Sequence, residues 1–483
     1  MAKTDCVLQI LIHTIKEAGY YNISRFEEIR VKDYPFLASN EFIEAMIRIH
    51  KELLHKIDLL EQDIFTTKNE FEEQIIEVQR FGQMFSELHS LLQILEMGGR
   101  QYIPGFIARL IGDILNILNP KAKFIFLPDY EYNYAYLELI GPVKVALQDA
   151  VSDIEKSLAF TEKLAIFWFP LAHKDNMLLN SLLGHELGHF VNEERQIVDK
   201  LITKILIPPA EIEEIAKEWL RTKLRGEKKE IKLDDYFGIE TAKAQVKRDV
   251  VLKISEQLKE LVSDAVAFYI FGPVFLISQN NYLTSLSNLE HKPKGYPSAR
   301  MRLEFLVDLF DSIGYTAMLE SQKKSENPTH REVSKKFEEV VEAIKGIMKK
   351  QTIVNEDKEE ALVYESIYRL KKDLWIEVHN AIKGQEFTAE IFADEVFKLT
   401  DVIDSFVPPA EIELECPANP LSILNAGMLY ELTSMERMHE ELNDKTIEER
   451  LSTRHKLHKL IMKAGELSQI QKVLQATEEN ATE

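Results

Sequence analysis

Cysteine is almost absent from this 483-residue chain: Cys6 and Cys416 are the only two. A disulfide framework is excluded, and a reducing compartment, the cytoplasm, is expected. Glycine is scarce as well. There are 18 in all, and long stretches carry neither glycine nor proline, which favours a mostly helical protein. Excess positive charge is missing too. With 59 basic against 80 acidic side chains the formal charge is −21, so no partnership with nucleic acid is expected and the surface is well solvated. The longest strongly apolar stretch, Ala265 to Ser278, is interrupted by Gly272-Pro273 and is too short to span a bilayer. The opening residues lack a basic region followed by an apolar run and a small-residue cleavage site. Neither a signal peptide nor membrane insertion is expected.

What is present is a globular balance, 45% hydrophobic and 29% charged, in a chain long enough for two or three domains. From Phe42 to Leu95 apolar residues recur every three or four positions, Ile43, Met46, Leu53, Ile57, Phe85, Leu88 and Leu92 among them. This pattern predicts a long amphipathic helix or helical hairpin closed by Gly98-Gly99. Packing within its own bundle accounts for the stripe, and partner binding or self-association through it is the other use. Between 121 and 170 the texture changes. Phe124–Leu127, the alternating Tyr132, Tyr134 and Tyr136, and Leu164–Phe169 read as strands, with Pro128 and Pro170 expected to end two of them. Residues 208–250 are charged, begin with Pro208-Pro209, and read as an insertion. The expected class is mostly α (α+β). A helical region spans 1–120, a mixed core 121–310, and a second helical region 311–483. The hexapeptide Pro-Pro-Ala-Glu-Ile-Glu occurs at 208–213 and again at 408–413; nothing around it repeats, so no repeat architecture is inferred.

The segment 176–191 carries the chemistry. Leu178, Leu179, Leu182, Leu183, Leu187 and Phe190 give it helical periodicity, with Asp175 as the expected N-cap. On a helix His185 and His189 stand one turn apart on one face, so two imidazoles can reach one ion. Glu186 sits beside the first, where a carboxylate can take a proton without occupying a coordination position. This is the H-E-x-x-H arrangement of zinc hydrolases. Chance alone produces it in about one chain in twenty-five of this composition, so the reading depends on a third ligand. An extended histidine motif fails, because its later positions hold Asn192 and Arg195. A glutamate on a later helix succeeds. Glu260 and Asp264 share a face of the segment 247–270, Glu260 as third ligand and Asp264 as acceptor for the free ring N–H of a ligand histidine. Glu256 lies on the same face and is a rival. Its neighbours Ser255, Gln257 and Lys259 are polar, however, whereas the surroundings turn apolar at Glu260, which has Asp264 four positions later.

These motifs resemble those of the gluzincin clan of zinc metallopeptidases, and within it the peptidases related to the CAAX prenyl protease. That group carries H-E-x-x-H, then E-x-x-x-D, then a His-Pro-Ser-x-x-x-Arg-Ile segment. The last looks like Tyr296-Pro297-Ser298-Ala299-Arg300-Met301-Arg302-Leu303, with Tyr296 in place of histidine. The likeness covers about 165–305 and lacks that group's transmembrane helices. It implies a zincin-like catalytic core with a small sheet and an active-site helix, zinc as cofactor, and a protein or peptide substrate. In the mechanism it implies, Glu186 is general base and the oxyanion needs a donor, for which Tyr296 and His291 are candidates. The strand Leu164–Phe169 is the expected edge for an extended peptide. The competing expectation is a helical interaction or scaffold protein with a structural zinc site. Such sites are mostly closed by four protein ligands, often cysteines, which this chain lacks.

Overall fold

The computed structural model describes residues 2–30, 37–66, 71–97, 105–129, 134–138, 147, 164–227, 236–286, 295–349, 358–413 and 416–482. They are mostly helical, with one three-stranded and one two-stranded sheet, so the α+β class holds. No helix among them is long and apolar enough to cross a membrane. The chain divides into two compact units, residues 1–174 and 175–483.

The first unit begins with α1 (Ala2–Arg30), α2 (Leu37–Thr66) and α3 (Phe71–Met97), followed by α4 (Gly105–Leu118). The apolar stripe read from Phe42 to Leu95 is thus two helices; the Gly98-Gly99 stop lies outside the described residues. Their buried faces share one hydrophobic cluster with Leu8, Ile12 and Phe26 of α1, so the stripe is consumed by packing within the unit. A buried polar network crosses the three helices. The Asn22 amide donates to the Phe85 carbonyl (3.1 Å) and lies 3.3 Å from Nε2 of His50, whose Nδ1 meets the Met46 carbonyl at 2.7 Å.

Strands β1 (Lys123–Asp129), β2 (Ala135–Glu138) and β3 (Leu164–Pro170) form a sheet in the order β1-β3-β2. β3 is central, parallel to β1 and antiparallel to β2. Two sequence expectations change here. The run Leu164–Phe169 offers no edge to a peptide, because neighbours take the hydrogen bonds on both its sides. Pro128 does not end its strand but pairs with Phe169 inside β1, an edge strand where a missing N–H costs no ladder bond. The period-two alternation shows in the packing. Ile125, Leu127, Leu164 and Ile166 join the helical cluster, and Phe126 and Phe167 stack at 5.2 Å on the opposite face. That sharing of a core places the sheet with the N-terminal helices, where the sequence grouped it with 121–310.

The second unit is helical around one long axis. It contains α5 (Leu183–Arg195), α6 (Ile197–Ile202), α7 (Pro209–Glu227), α8 (Tyr236–Phe271) and α9 (Pro273–Leu286). After these come α10 (Ala299–Ser312), α11 (Tyr315–Gln322), α12 (Pro328–Lys349), α13 (Lys358–Ile382) and further helices to Thr482. The charged region 208–250 is helical in its described residues from Pro209 on. Its first half is α7, and its second half is the start of α8, which continues unbroken to the acidic pair. From Gln257 to Phe271 only Lys259 of α8 is exposed, as befits a helix with α5, α6, α7, α10 and α13 packed around it. Gly272, at φ +70°, stops it and Pro273 begins the next helix, the break read in the sequence. Asn425 spans this break: its amide donates to the Phe271 carbonyl (2.8 Å) and its oxygen accepts from the Val274 N–H (2.9 Å). The region 311–483 is therefore packed onto the helices of the site and belongs to the same unit.

Candidate metal centre

α5 starts later than its leucine periodicity suggests. A tight turn, Leu179–Leu182, precedes it, and Asn176, not Asp175, accepts the Leu179 N–H (3.2 Å). The residues before Leu183 already wind helically, so no side chain caps α5 itself. At its other end Asn192 accepts the Val198 N–H (3.0 Å) and turns the chain into α6. That capping role accounts for an asparagine where an extended histidine motif would need glycine.

The two histidines reach α8 because the helices approach unusually closely. A Cβ built on Gly188 would stand 2.4 Å from the Ser263 Cα and 2.6 Å from its carbonyl oxygen, closer than real atoms come. One turn earlier, a Cβ on Gly184 would meet the Phe271 ring at 2.7 Å. Gly188 lies between His185 and His189 in sequence, and Ser263 lies between Glu260 and Asp264. The contact therefore aligns all four chemical groups.

Both histidines are anchored through Nδ1. His185 Nδ1 lies 2.8 Å from Asp264 Oδ1, and His189 Nδ1 lies 3.0 Å from Ser263 Oγ. Each ring thus presents Nε2 to Glu260, at 3.2 Å from Oε2 for His185 and 3.6 Å from Oε1 for His189. Two donors bound tetrahedrally to one zinc stand about 3.3 Å apart, so the spacing fits. Among the described residues, His185, His189 and Glu260 form the one group of three or more such donors that could hold an ion. Glu256, the rival, is exposed one turn away and takes no part.

Asp264 is held by two further residues through three hydrogen bonds. Arg302 of α10 donates to both its oxygens at 2.7 Å and Gln279 of α9 donates to Oδ1 at 3.2 Å. Arg302 also reaches Glu260 Oε2 at 3.4 Å. Asp264, Arg302, Gln279 and Glu260 are all buried. Burial pushes the Asp264 carboxyl upward, but the Arg302 charge and hydrogen bonds and His185 outweigh it, holding the pKa at about 2. His185 is pushed up to about 10, because Asp264 and Glu260 together overcome burial and the Arg302 charge. Burial takes His189 down to about 4 and lifts the Glu186 carboxyl to about 7. Glu186 makes no hydrogen bond among the described residues, which leaves its carboxylate unengaged beside the first ligand.

The cluster is closed on the Asp264 side and opens past His189, whose side chain is 23% exposed. Tyr296, 47% exposed, is the described candidate on this side; the charge of Glu260, then burial, raises its phenol pKa. His291 lies outside the described residues. Ser298 caps α10 by accepting the Met301 N–H (3.2 Å), which sets Arg302 one turn inside the helix. The roles of Arg302, Gln279, Ser263 and the two glycines are not apparent in the metal-binding motif itself. Gly184 and Gly188 at a four-residue interval were the available signal for a close helix crossing, and the quoted Tyr296–Leu303 segment contained Arg302. Set against models of known protein families, curated proteins and solved structures, the chain matches none, so a functional reading stands on the geometry of this cluster.

Proposed function

We propose that the protein is a zinc-dependent peptidase of the gluzincin kind, acting on proteins or peptides in the cytoplasm. The observation that carries this reading is the convergence of two histidine Nε2 atoms on Glu260 while both Nδ1 atoms are held by Asp264 and Ser263. Preset ring orientations, three donors and an open side describe a catalytic site better than a structural one, which is closed by a fourth protein ligand. Among the described residues no fourth histidine, cysteine or carboxylate joins the three.

Zinc, when bound, would polarise the scissile carbonyl and make a water nucleophilic near neutral pH. The chain does the rest. Glu186, adjacent to His185 and buried, accepts the proton of the attacking water and returns it to the leaving amine. Asp264, clamped by Arg302 and Gln279, keeps His185 in the ligating tautomer and orientation. Tyr296 on the open side donates its phenolic hydrogen to the developing oxyanion.

The test is Glu186→Gln, which keeps the shape and removes the base. The variant should retain zinc and fold but hydrolyse peptides about 10³-fold more slowly than the zinc-loaded wild type. Equal activity would refute the mechanism.

A further inference from the structure

A carboxylate beside the cluster has no partner among the described residues. Glu256 stands one turn before Glu260 on the same face of α8, is exposed, and makes no hydrogen bond or ion pair among the described residues. Lys253, three positions before it, is drawn instead to Glu359 (2.8 Å) and Glu360 (3.6 Å). The Glu256 carboxylate instead lies against the backbone at Gly295, where a Cβ would come within 2.8 Å of Oε2. Glycine leaves the space that this oxygen occupies. The next residue is the half-exposed ring of Tyr296, which lies within the electric fields of Glu260, Glu186 and Glu256.

Inside the site Arg302 lies against Asp264 (2.7 Å) and reaches Glu260 (3.4 Å), and Glu256 takes no part in that network. What remains beside the site is one exposed carboxylate, unpaired among the described residues, next to an aromatic ring, a combination that attracts an ammonium or guanidinium group. One helical turn is about 5.4 Å and an extended peptide advances about 3.3 Å per residue, so the complementary side chain falls within about two residues of the bond held at the ion. We propose that Glu256 makes the site selective for substrates with a lysine or arginine close to the scissile bond; this rests on the peptidase reading of the same cluster.

The experiment uses zinc-loaded full-length wild type, Glu256→Gln and Glu256→Lys, each incubated with a pool of random decapeptides and read by mass spectrometry. Wild type should enrich lysine and arginine near the cut about tenfold over neutral residues. Glu256→Gln should lose the enrichment and Glu256→Lys should turn it toward aspartate and glutamate, with equal zinc content in all three. Cleavage without basic enrichment, or enrichment surviving in Glu256→Lys, overturns the inference and leaves the peptidase reading intact. If wild type cuts nothing, the peptidase reading fails, and binding decides the role of Glu256 separately. Glu186→Gln protein is then titrated with a labelled alanine-rich decapeptide bearing one central lysine and with its norleucine counterpart. Tighter binding of the lysine peptide, abolished by adding Glu256→Gln, supports the role of Glu256; equal binding of the two peptides overturns it.

Discussion

Replacing Gly188 by alanine adds one methyl group where α5 and α8 touch, and the structure allows its effect to be worked out. The new carbon would stand 2.4 Å from the Ser263 Cα, whereas carbon atoms settle about 3.5–4.0 Å apart, so the helices must part by about 1 Å or more. Backbone cannot rotate away as a side chain can. The separation falls at the level of the ligands, where the Nε2 to Glu260 distances are 3.2 and 3.6 Å. Metal–ligand distances tolerate about 0.2 Å, so the site would lose one ligand or bind through a distorted set. Zinc affinity should fall about a hundredfold or more. Overpacking should also cost about 1–3 kcal/mol of stability, partly offset by the better helix propensity of alanine. A competition titration against a chromophoric chelator measures the first effect and calorimetry the second. Gly184→Ala is the control: its new carbon meets the side chains of Phe271 and Ala267 rather than backbone, at a level beyond the ligands, so zinc binding should change far less even if stability falls. A Gly188→Ala protein that binds zinc like wild type would show that the close approach does not set the ligand geometry.

Substituting His185, His189 or Glu260 by alanine should abolish stoichiometric zinc binding measured by elemental analysis, and Glu256→Ala should leave it unchanged; the reverse pattern would move the third ligand to Glu256. Asp264→Ala should weaken zinc affinity about ten- to a hundredfold, since it removes the acceptor that orients His185 and leaves Arg302 buried without its partner. Tyr296→Phe should lower kcat about ten- to a thousandfold with zinc content and thermal stability unchanged, whereas a ring that merely packs would make Phe silent and Ala destabilising. His50 gives the first unit a pH dependence. Burial lowers its pKa to about 4 from the unfolded 6.5, so the unfolded chain binds the proton first as the pH falls. Its contribution to stability is complete above pH 6.5 and declines toward pH 4 by about 3 kcal/mol, and His50→Gln should remove that slope from denaturant titrations.

Local spacing made part of the site legible. His185 and His189 at i and i+4, and Glu260 and Asp264 at i and i+4, share faces wherever their segments are helical, and helical periodicity is written in the apolar residues between them. No spacing within either segment states that α5 and α8 lie against each other. That depends on Gly188 meeting the Ser263 backbone, and on Arg302, 38 positions beyond Asp264, swinging back onto it. The sheet illustrates the same limit. Two strands were visible as apolar runs and the third as alternating tyrosines around Ala135–Glu138, yet only the pairing puts Leu164–Pro170 in the middle, with its hydrogen bonds already taken.

Composition by itself determined that the protein is mainly helical, has no disulfide framework, and contains no apolar run able to span a bilayer. These properties follow from residue types and need no fold. Conformation and grouping were decided at longer range. The identical residues Pro208–Glu213 and Pro408–Glu413 make the point: the first hexapeptide opens the helix Pro209–Glu227, and the second runs into the strand Glu411–Glu413. After Glu213 comes a continuous helical stretch whose Ile215 and Ala216 are buried. Beyond Glu413, Cys416 and Pro417 return to pair with it, and the Ala418 N–H donates to the Ala410 carbonyl at 2.8 Å. Six residues carry too little intrinsic preference to outweigh the burial and hydrogen bonding that the rest of the chain supplies. The same physics holds at the metal centre, where residues far apart in the chain become ligands and supports only through the packing of α5, α8 and α10.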